Sequence, residues 1–220
     1  VLKDVPLLAW LDMLPWHSQL FLISIILALT LLALALRYIQ SRRLARAWQT
    51  LAQRTGLDYK PGGCLGLSRR AEVTGHYRNR KLELYTYAPL FTDNVLDGTC
   101  LELSVANPLD LDIRLDYMPA WRVINTLLKT RDQVQIGGQA FDAAFSLTSK
   151  HPTLVSIVFA APKLRQRLFR LREYTTLELK QTTLSLERAG RECNADYLHF
   201  CLDLMSDLAD AIEQSMKSRL

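Results

Sequence analysis

The amino-acid sequence predicts an α+β protein, with a single N-terminal transmembrane helix followed by a cytoplasmic domain of mainly antiparallel sheet with packed helices. Three observations lead to this fold class. One long stretch near the N-terminus carries no charge, alternating stretches then come in neighbouring pairs, and helical patterns follow later in the chain. The chain has 220 residues, of which 49% are hydrophobic and 22% charged, so its composition excludes a collagenous or wholly disordered protein.

The transmembrane helix is predicted over residues 19–39. Residues 20–36 read LFLISIILALTLLALAL, and Ser24 and Thr30 are the only polar side chains among them. With its flanking residues this run makes a helix of about 30 Å, which is enough to cross the hydrocarbon core of a bilayer. A helix buried in a soluble core normally has a polar stripe, and this run has none.

Aromatic residues flank the apolar run on both sides. Trp10 and Trp16 precede it and Tyr38 follows it, as is typical of side chains at the membrane–water interface. Residues 1–18 are apolar, but they are few and interrupted by prolines. We therefore expect an interfacial segment that lies along the outer membrane surface or against a partner subunit.

Positive charges follow the apolar run rather than precede it. Four arginines crowd its far side: Arg37, Arg42, Arg43 and Arg46. A cleaved signal peptide, the alternative interpretation, has its positive charges before the run. The positive-inside bias therefore predicts a single-pass anchor in the cell inner membrane, with the N-terminus outside and residues 37–220 in the cytoplasm.

A stripe of small side chains marks one side of the predicted span. Ser24, Ala28 and Ala35 lie near one helical face, and small residues allow another transmembrane helix to approach closely. Together with the flanking tryptophans and the four arginines, they form the predicted membrane and partner contact. The predicted partners are other membrane protein subunits.

A juxtamembrane helix is predicted over residues 40–58, because apolar side chains recur there at helical spacing. Gly56 is its natural stop. The cytoplasmic α+β domain then takes residues 59–220, which are enough to form a core of their own.

Alternating polar and apolar residues predict the strands of this domain. Two hairpins are expected, one from residues 71–77 and 81–87, the other from residues 176–180 and 183–187. Further strands are expected over residues 101–105, 111–117 and 140–147.

Two helical regions complete the domain. One begins at Pro152 and contains Pro162, which predicts either a kink or two consecutive helices. The other is predicted over residues 195–217, where the apolar residues form one face.

The cysteines do not indicate a disulfide framework or a metal site. Cys64, Cys100, Cys193 and Cys201 are few and scattered. Cys193, His199 and Cys201 are near one another in sequence, but their spacing does not bring all three to one side of a helix, and no CxxC, HxxxH or HExxH motif occurs. We expect structural thiols in a reduced cytoplasm, no metal and no cofactor.

No segment carries a catalytic or nucleotide-binding signature. There is no G-x-S-x-G elbow, and the glycine-rich residues 60–66 lack the GK[ST] ending of a P-loop. We therefore expect a noncatalytic protein without a small-molecule substrate. An enzyme acting on a membrane-proximal substrate is an alternative that would need a pocket with convergent titratable groups.

The most informative polar feature is a basic patch, which consists of Lys163, Arg165, Arg167, Arg170 and Arg172. Leucines alternate with these residues and give the segment a buried side, so the basic side chains are expected on an exposed face. This face is either simply solvated or docks on anionic inner-leaflet lipid or an acidic partner. Nucleic-acid binding is a third interpretation without a supporting motif, and we expect none.

Three packing motifs follow the span: Trp48-x-x-Leu51-Ala52-x-x-x-Gly56-Leu57, Val73-x-Gly75-x-Tyr77-x-x-Arg80-x-Leu82 and Phe141-Asp142-x-x-Phe145. This pattern resembles a loose set of uncharacterised bacterial single-pass membrane-anchored proteins. The resemblance implies a noncatalytic cytoplasmic domain of unknown function.

The leading hypothesis is a noncatalytic accessory or structural subunit of a larger membrane protein complex, for which respiratory and photosynthetic complexes are typical hosts. The alternative is a membrane-tethered binding module that recruits an acidic soluble partner or anionic lipid through the basic helix.

Overall fold

The computed structural model describes residues 16–62, 70–87, 98–117, 134–136, 139–172 and 175–217. The chain divides into two compact units, Val1–Arg43 and Leu44–Leu220. The second unit contains the sheet and is called the domain below.

The first helix, α1 (Trp16–Thr55), is continuous. It ends at the predicted glycine, because Gly56 has a φ of +70° and the Leu57 N–H donates to the Ala52 carbonyl oxygen over 3.0 Å. Glycine adopts a positive φ without a steric penalty, and this conformation lets the chain leave the helix while the last turn keeps a hydrogen bond.

In the part of the domain that the structure describes, eight strands form one antiparallel sheet. They are β1 (Asp58–Lys60), β2 (Glu72–Tyr77), β3 (Arg80–Tyr87), β4 (Gly98–Ser104), β5 (Ile113–Tyr117), β6 (Phe145–Thr148), β7 (Thr175–Lys180) and β8 (Thr183–Ala189). Their order across the sheet is β1-β2-β3-β4-β8-β7-β5-β6. The C-terminal hairpin therefore enters the middle of the sheet, between β4 and β5.

Both predicted hairpins are confirmed. β2 pairs with β3 around Arg78 and Asn79, whose φ values are 47° and 65°. β7 pairs with β8 around Gln181, which has a φ of 51°, and Thr182. Positive φ values in a two-residue turn match the right-handed twist of the flanking strands, which is why such turns suit hairpins.

The two faces of the sheet differ in polarity. On one face Leu101 of β4 lies opposite Leu186 of β8, which in turn lies opposite Leu177 of β7. Successive side chains point to opposite faces of a strand, and the apolar face joins the helices in a single core. On the polar face Glu83 of β3 lies directly opposite Glu102 of β4.

Within the described residues four helices follow α1: α2 (Gln139–Ala144), α3 (Pro152–Val158), α4 (Pro162–Leu168) and α5 (Ala195–Lys217). α5 packs on β4 and β8 and also contacts α3 and α4. Its predicted bounds are confirmed. The predicted fold class, an apolar N-terminal helix followed by antiparallel sheet with packed helices, is confirmed as well.

The strand predicted over residues 140–147 is wrong in its first half. Gln139–Ala144 is helical, and only Phe145–Thr148 forms a strand. Phe141 and Phe145 stack with their ring centroids 4.7 Å apart. One helical turn brings residues four apart together, whereas a strand would separate them by about 13 Å.

The region after Pro152 forms two helices rather than one kinked helix. α3 ends at Val158, and α4 starts with Pro162. Proline has no N–H to donate and suits the first turn of a helix, where that hydrogen bond is missing in any case.

Candidate functional site

Helix α1 carries a long exposed apolar surface. Every residue from 20 to 40 is exposed, and Leu20–Thr55 is long and apolar enough to cross a membrane. The hydroxyl groups of Ser24 and Thr30 donate to backbone carbonyls one turn earlier, over 2.7 and 2.6 Å. Both hydroxyls are therefore satisfied within the helix, as a hydrocarbon environment requires.

The small residues predicted as a helix contact share one side of α1. Ser24, Ala28 and Ala35 are exposed and fall within about 40° of one another around the helix axis. Of the predicted interfacial tryptophans, Trp10 lies outside the described residues and Trp16 is described only as the first residue of α1.

The four arginines after the apolar run are all exposed. Arg37, Arg42 and Arg43 belong to the first unit, and Arg46 belongs to the domain. The guanidinium carbon of Arg42 lies 5.1 Å from the centroid of the Tyr38 ring, which is a cation–π contact.

The predicted basic patch is divided between two roles. Arg167 forms an ion pair with Asp207 of α5, and Arg172 forms one with Glu192 over 2.8 Å. These two arginines therefore hold parts of the domain together. Arg167 meets Asp207 because α4 packs on α5, whereas Arg172 follows α4 and pairs with Glu192, which precedes α5.

The other three basic residues of the patch are Lys163, Arg165 and Arg170. Within the part of the chain that the structure describes, no carboxylate forms an ion pair with Lys163, Arg165 or Arg170. Lys163 and Arg170 are exposed, and Arg165 is half-buried. The Arg170 guanidinium lies 4.5 Å from the centroid of the Phe200 ring.

Glu192, which sequence reasoning missed, is the buried centre of an ion-pair cluster. Its side chain is 4% exposed and accepts hydrogen bonds from Arg172 and Arg188 over 2.8 and 2.6 Å. Its backbone oxygen accepts the indole N–H of Trp48 over 3.0 Å, and its own N–H donates to Thr99 over 2.9 Å. One residue thus connects α1, β4, β8 and the segment after α4.

Replacing Glu192 with alanine is expected to lower the free energy of unfolding by about 3 kcal/mol, because two arginines lose a buried carboxylate. The half-exposed Arg172 keeps the loss at the low end of the range for buried pairs. Urea unfolding of the full chain in detergent, followed by circular dichroism, measures this. The matched control is Glu187→Ala at an exposed position of β8, expected to change stability by less than about 0.5 kcal/mol. Equal losses in the two variants would contradict the prediction.

A second ion-pair network holds the β2–β3 hairpin on α5. Arg78 and Arg80 donate to four carboxylates over 2.5 to 2.9 Å. Because these acids recur every three or four residues, they lie on one side of the helix. They are Asp203, Asp207, Asp210 and Glu213.

The buried thiols are poor nucleophiles. Burial raises the pKa of Cys100 and of Cys201 to about 12. Both thiols are therefore protonated at neutral pH, whereas the thiolate is the reactive form. Among the described residues no group of three or more His, Cys, Asp or Glu side chains is placed to hold a metal ion.

Comparisons with known sequences give no family. No protein-family model matches the chain, and no curated protein sequence matches it. The resemblance to uncharacterised bacterial membrane-anchored proteins therefore stays a prediction.

A comparison with solved structures finds a similar fold. The chain resembles the crystal structure of the mycobacterial trehalose monomycolate transport factor A, TtfA, with a TM-score of 0.50 and 13% sequence identity. The similarity covers 78% of this chain and 95% of TtfA. At such low identity it shows a shared fold.

Proposed function

We propose that the chain is a noncatalytic accessory subunit of a larger membrane protein assembly, anchored by α1. The observation that carries the proposal is the exposed apolar surface over residues 20–40. A continuous apolar surface of this length is stable against lipid or other transmembrane helices and unstable in water. The internally bonded hydroxyls of Ser24 and Thr30 fit the same environment.

The orientation follows from the arginines after the apolar run. Arg37, Arg42, Arg43 and Arg46 follow the apolar run on its C-terminal side in the sequence, and the positive-inside bias keeps such clusters in the cytoplasm. We therefore propose a single pass through the inner membrane, with the N-terminus outside and the domain in the cytoplasm.

The charged groups of the domain support a noncatalytic role. The acids of α5 and Glu192 are engaged by arginines from other elements, and burial keeps the Cys100 and Cys201 thiols protonated. A catalytic site needs titratable groups that are poised to react rather than paired for stability.

A transport assembly is the first host to test. TtfA, which has the similar fold, is named as a transport factor for trehalose monomycolate. No observation favours a respiratory or photosynthetic complex, the typical hosts of such subunits.

The test enlarges the small-residue side of α1. We expect Ala28→Leu together with Ala35→Leu to reduce the recovery of the partner subunit about tenfold, because bulkier side chains keep the two helices apart. The full chain is purified in mild detergent, and the membrane proteins that purify with it are quantified by mass spectrometry. The matched control is Ala33→Leu, which lies about 160° away around the helix and is expected to leave recovery unchanged.

Recovery of the wild-type chain as a monomer without other membrane proteins would overturn the proposed function. Equal losses in the double variant and in Ala33→Leu would overturn the assignment of the contact to the small-residue side.

A further inference from the structure

The exposed side chains of α3, α4 and the residues just after α4 include both apolar groups and cations. Ile157 is 45% exposed and Phe169 is 42% exposed. They are two of the three large exposed apolar side chains that the structure describes in the domain. Lys163, Arg165 and Arg170 lie in the same short segment and form no ion pair with a described carboxylate. These five residues are called the docking surface below.

The packing of α4 directs this surface outward. Leu164, Leu168 and Leu171 are buried in the core, while residues 160–163, 166, 169 and 170 are exposed. The leucines occupy one side of this segment, and Lys163 and Arg170 are exposed. The Phe169 ring packs edge-on against the core residues Phe141 and Phe145 and keeps 42% of its surface exposed.

We propose that the docking surface binds the anionic headgroups of a lipid bilayer, with the exposed parts of Ile157 and Phe169 at the boundary between headgroups and acyl chains. This inference deepens the proposed function and rests on it, because an anchored domain meets the bilayer at high effective concentration. Each Lys or Arg near an anionic leaflet strengthens binding about fivefold, so the three cations together contribute about a hundredfold.

The composition of the surface favours a bilayer over an acidic protein. Exposed apolar side chains beside lysine and arginine are typical of surfaces that lie in the membrane interface.

Hydrogen exchange of the full chain in lipid nanodiscs tests the proposal. One set of discs contains only phosphatidylcholine, and in the other set a third of the lipid is phosphatidylglycerol. We expect the amides of residues 157–170 to exchange about tenfold more slowly in the anionic discs at low salt, and this difference to disappear at high salt. Amides of β4 and β8 report whether the fold is intact.

The variant K163E/R165E/R170E removes the cations without breaking an ion pair among the described residues. In this variant we expect the amides of residues 157–170 to exchange at the same rate in both kinds of disc. The control K60E/K150E/K180E reverses three exposed charges elsewhere on the domain and should keep the wild-type difference. Its lysines form surface ion pairs with Glu72, Asp112 and Glu178, and losing such pairs changes stability little. The conservative variant K163R/R165K/R170K retains three positive charges, so it should also show the slower exchange in the anionic discs.

The outcomes separate this inference from the proposed function. A chain that does not remain with the discs overturns membrane anchoring. A chain that remains with the discs but exchanges equally in both lipids overturns the docking surface, and leaves an acidic protein as the occupant to test. Equal loss of protection in K163E/R165E/R170E and in the control also overturns it, because the effect would then follow net charge alone.

Discussion

Replacing Trp48 with alanine is expected to lower the free energy of unfolding of the domain by about 4 kcal/mol. The side chain is fully buried among the core residues, and its indole N–H donates to the backbone of Glu192. The variant therefore loses the packing of the largest core residue and leaves a buried carbonyl without its partner. Urea unfolding of the full chain in detergent, followed by circular dichroism, measures the loss.

Two further variants give this prediction its controls. Trp48→Phe keeps a ring in the core and removes the hydrogen bond, so it is expected to cost about 1–2 kcal/mol. Gln49→Ala changes the next residue, which is exposed, and is expected to stay within about 0.5 kcal/mol of the wild type. An unchanged midpoint for Trp48→Ala would show that the last turns of α1 are not part of the core.

Placing arginine at both Leu27 and Leu31 is expected to abolish membrane insertion. Both positions lie in the middle of the uncharged run, and each arginine costs about 3 kcal/mol at the centre of a transmembrane helix. The measurement is the fraction of the full chain that stays with cell membranes after carbonate extraction. Leu27→Met together with Leu31→Met is the control, because it keeps the helix apolar. If the double-arginine chain stayed in the membrane fraction as the control does, the anchor proposed here would be wrong.

The elements that depend on local sequence could be predicted. The apolar helix follows from a run without charges, and its end follows from Gly56, because only a residue that tolerates a positive φ ends the helix in this way. The β2–β3 and β7–β8 hairpins follow from alternation on both sides of a short polar turn. In each case neighbours along the chain are also neighbours in the fold.

The elements that depend on distant contacts could not be predicted. The sequence predicts a strand over residues 140–147, whereas residues 139–144 form a helix that stacks Phe141 on Phe145. The place of β8 beside β4 has no local signal, because pairing between distant strands depends on the complementarity of their whole faces.

The candidate site also contains features that could be predicted from the sequence and features that could not. Exposure of Ser24, Ala28 and Ala35 on one side of α1 follows from helical periodicity. The split of the basic patch does not, because it depends on the carboxylates that α5 and the segment before it bring to Arg167 and Arg172. Glu192 gave only one sequence signal, its spacing of four residues from Arg188, and ion pairs at this spacing are common on solvated surfaces.

The order of the strands has a consequence for synthesis on the ribosome. β4 ends at Ser104, and its neighbour β8 begins only at Thr183. At ordinary rates of translation, the residues between them take about 4–16 s to be made. During that time β1 to β4 lack α5, which packs on β4 in the finished fold, and β4 has an edge without its partner strand, which is the kind of edge that pairs with other chains. The nascent protein is therefore most prone to aggregate, and most in need of a chaperone, during this interval.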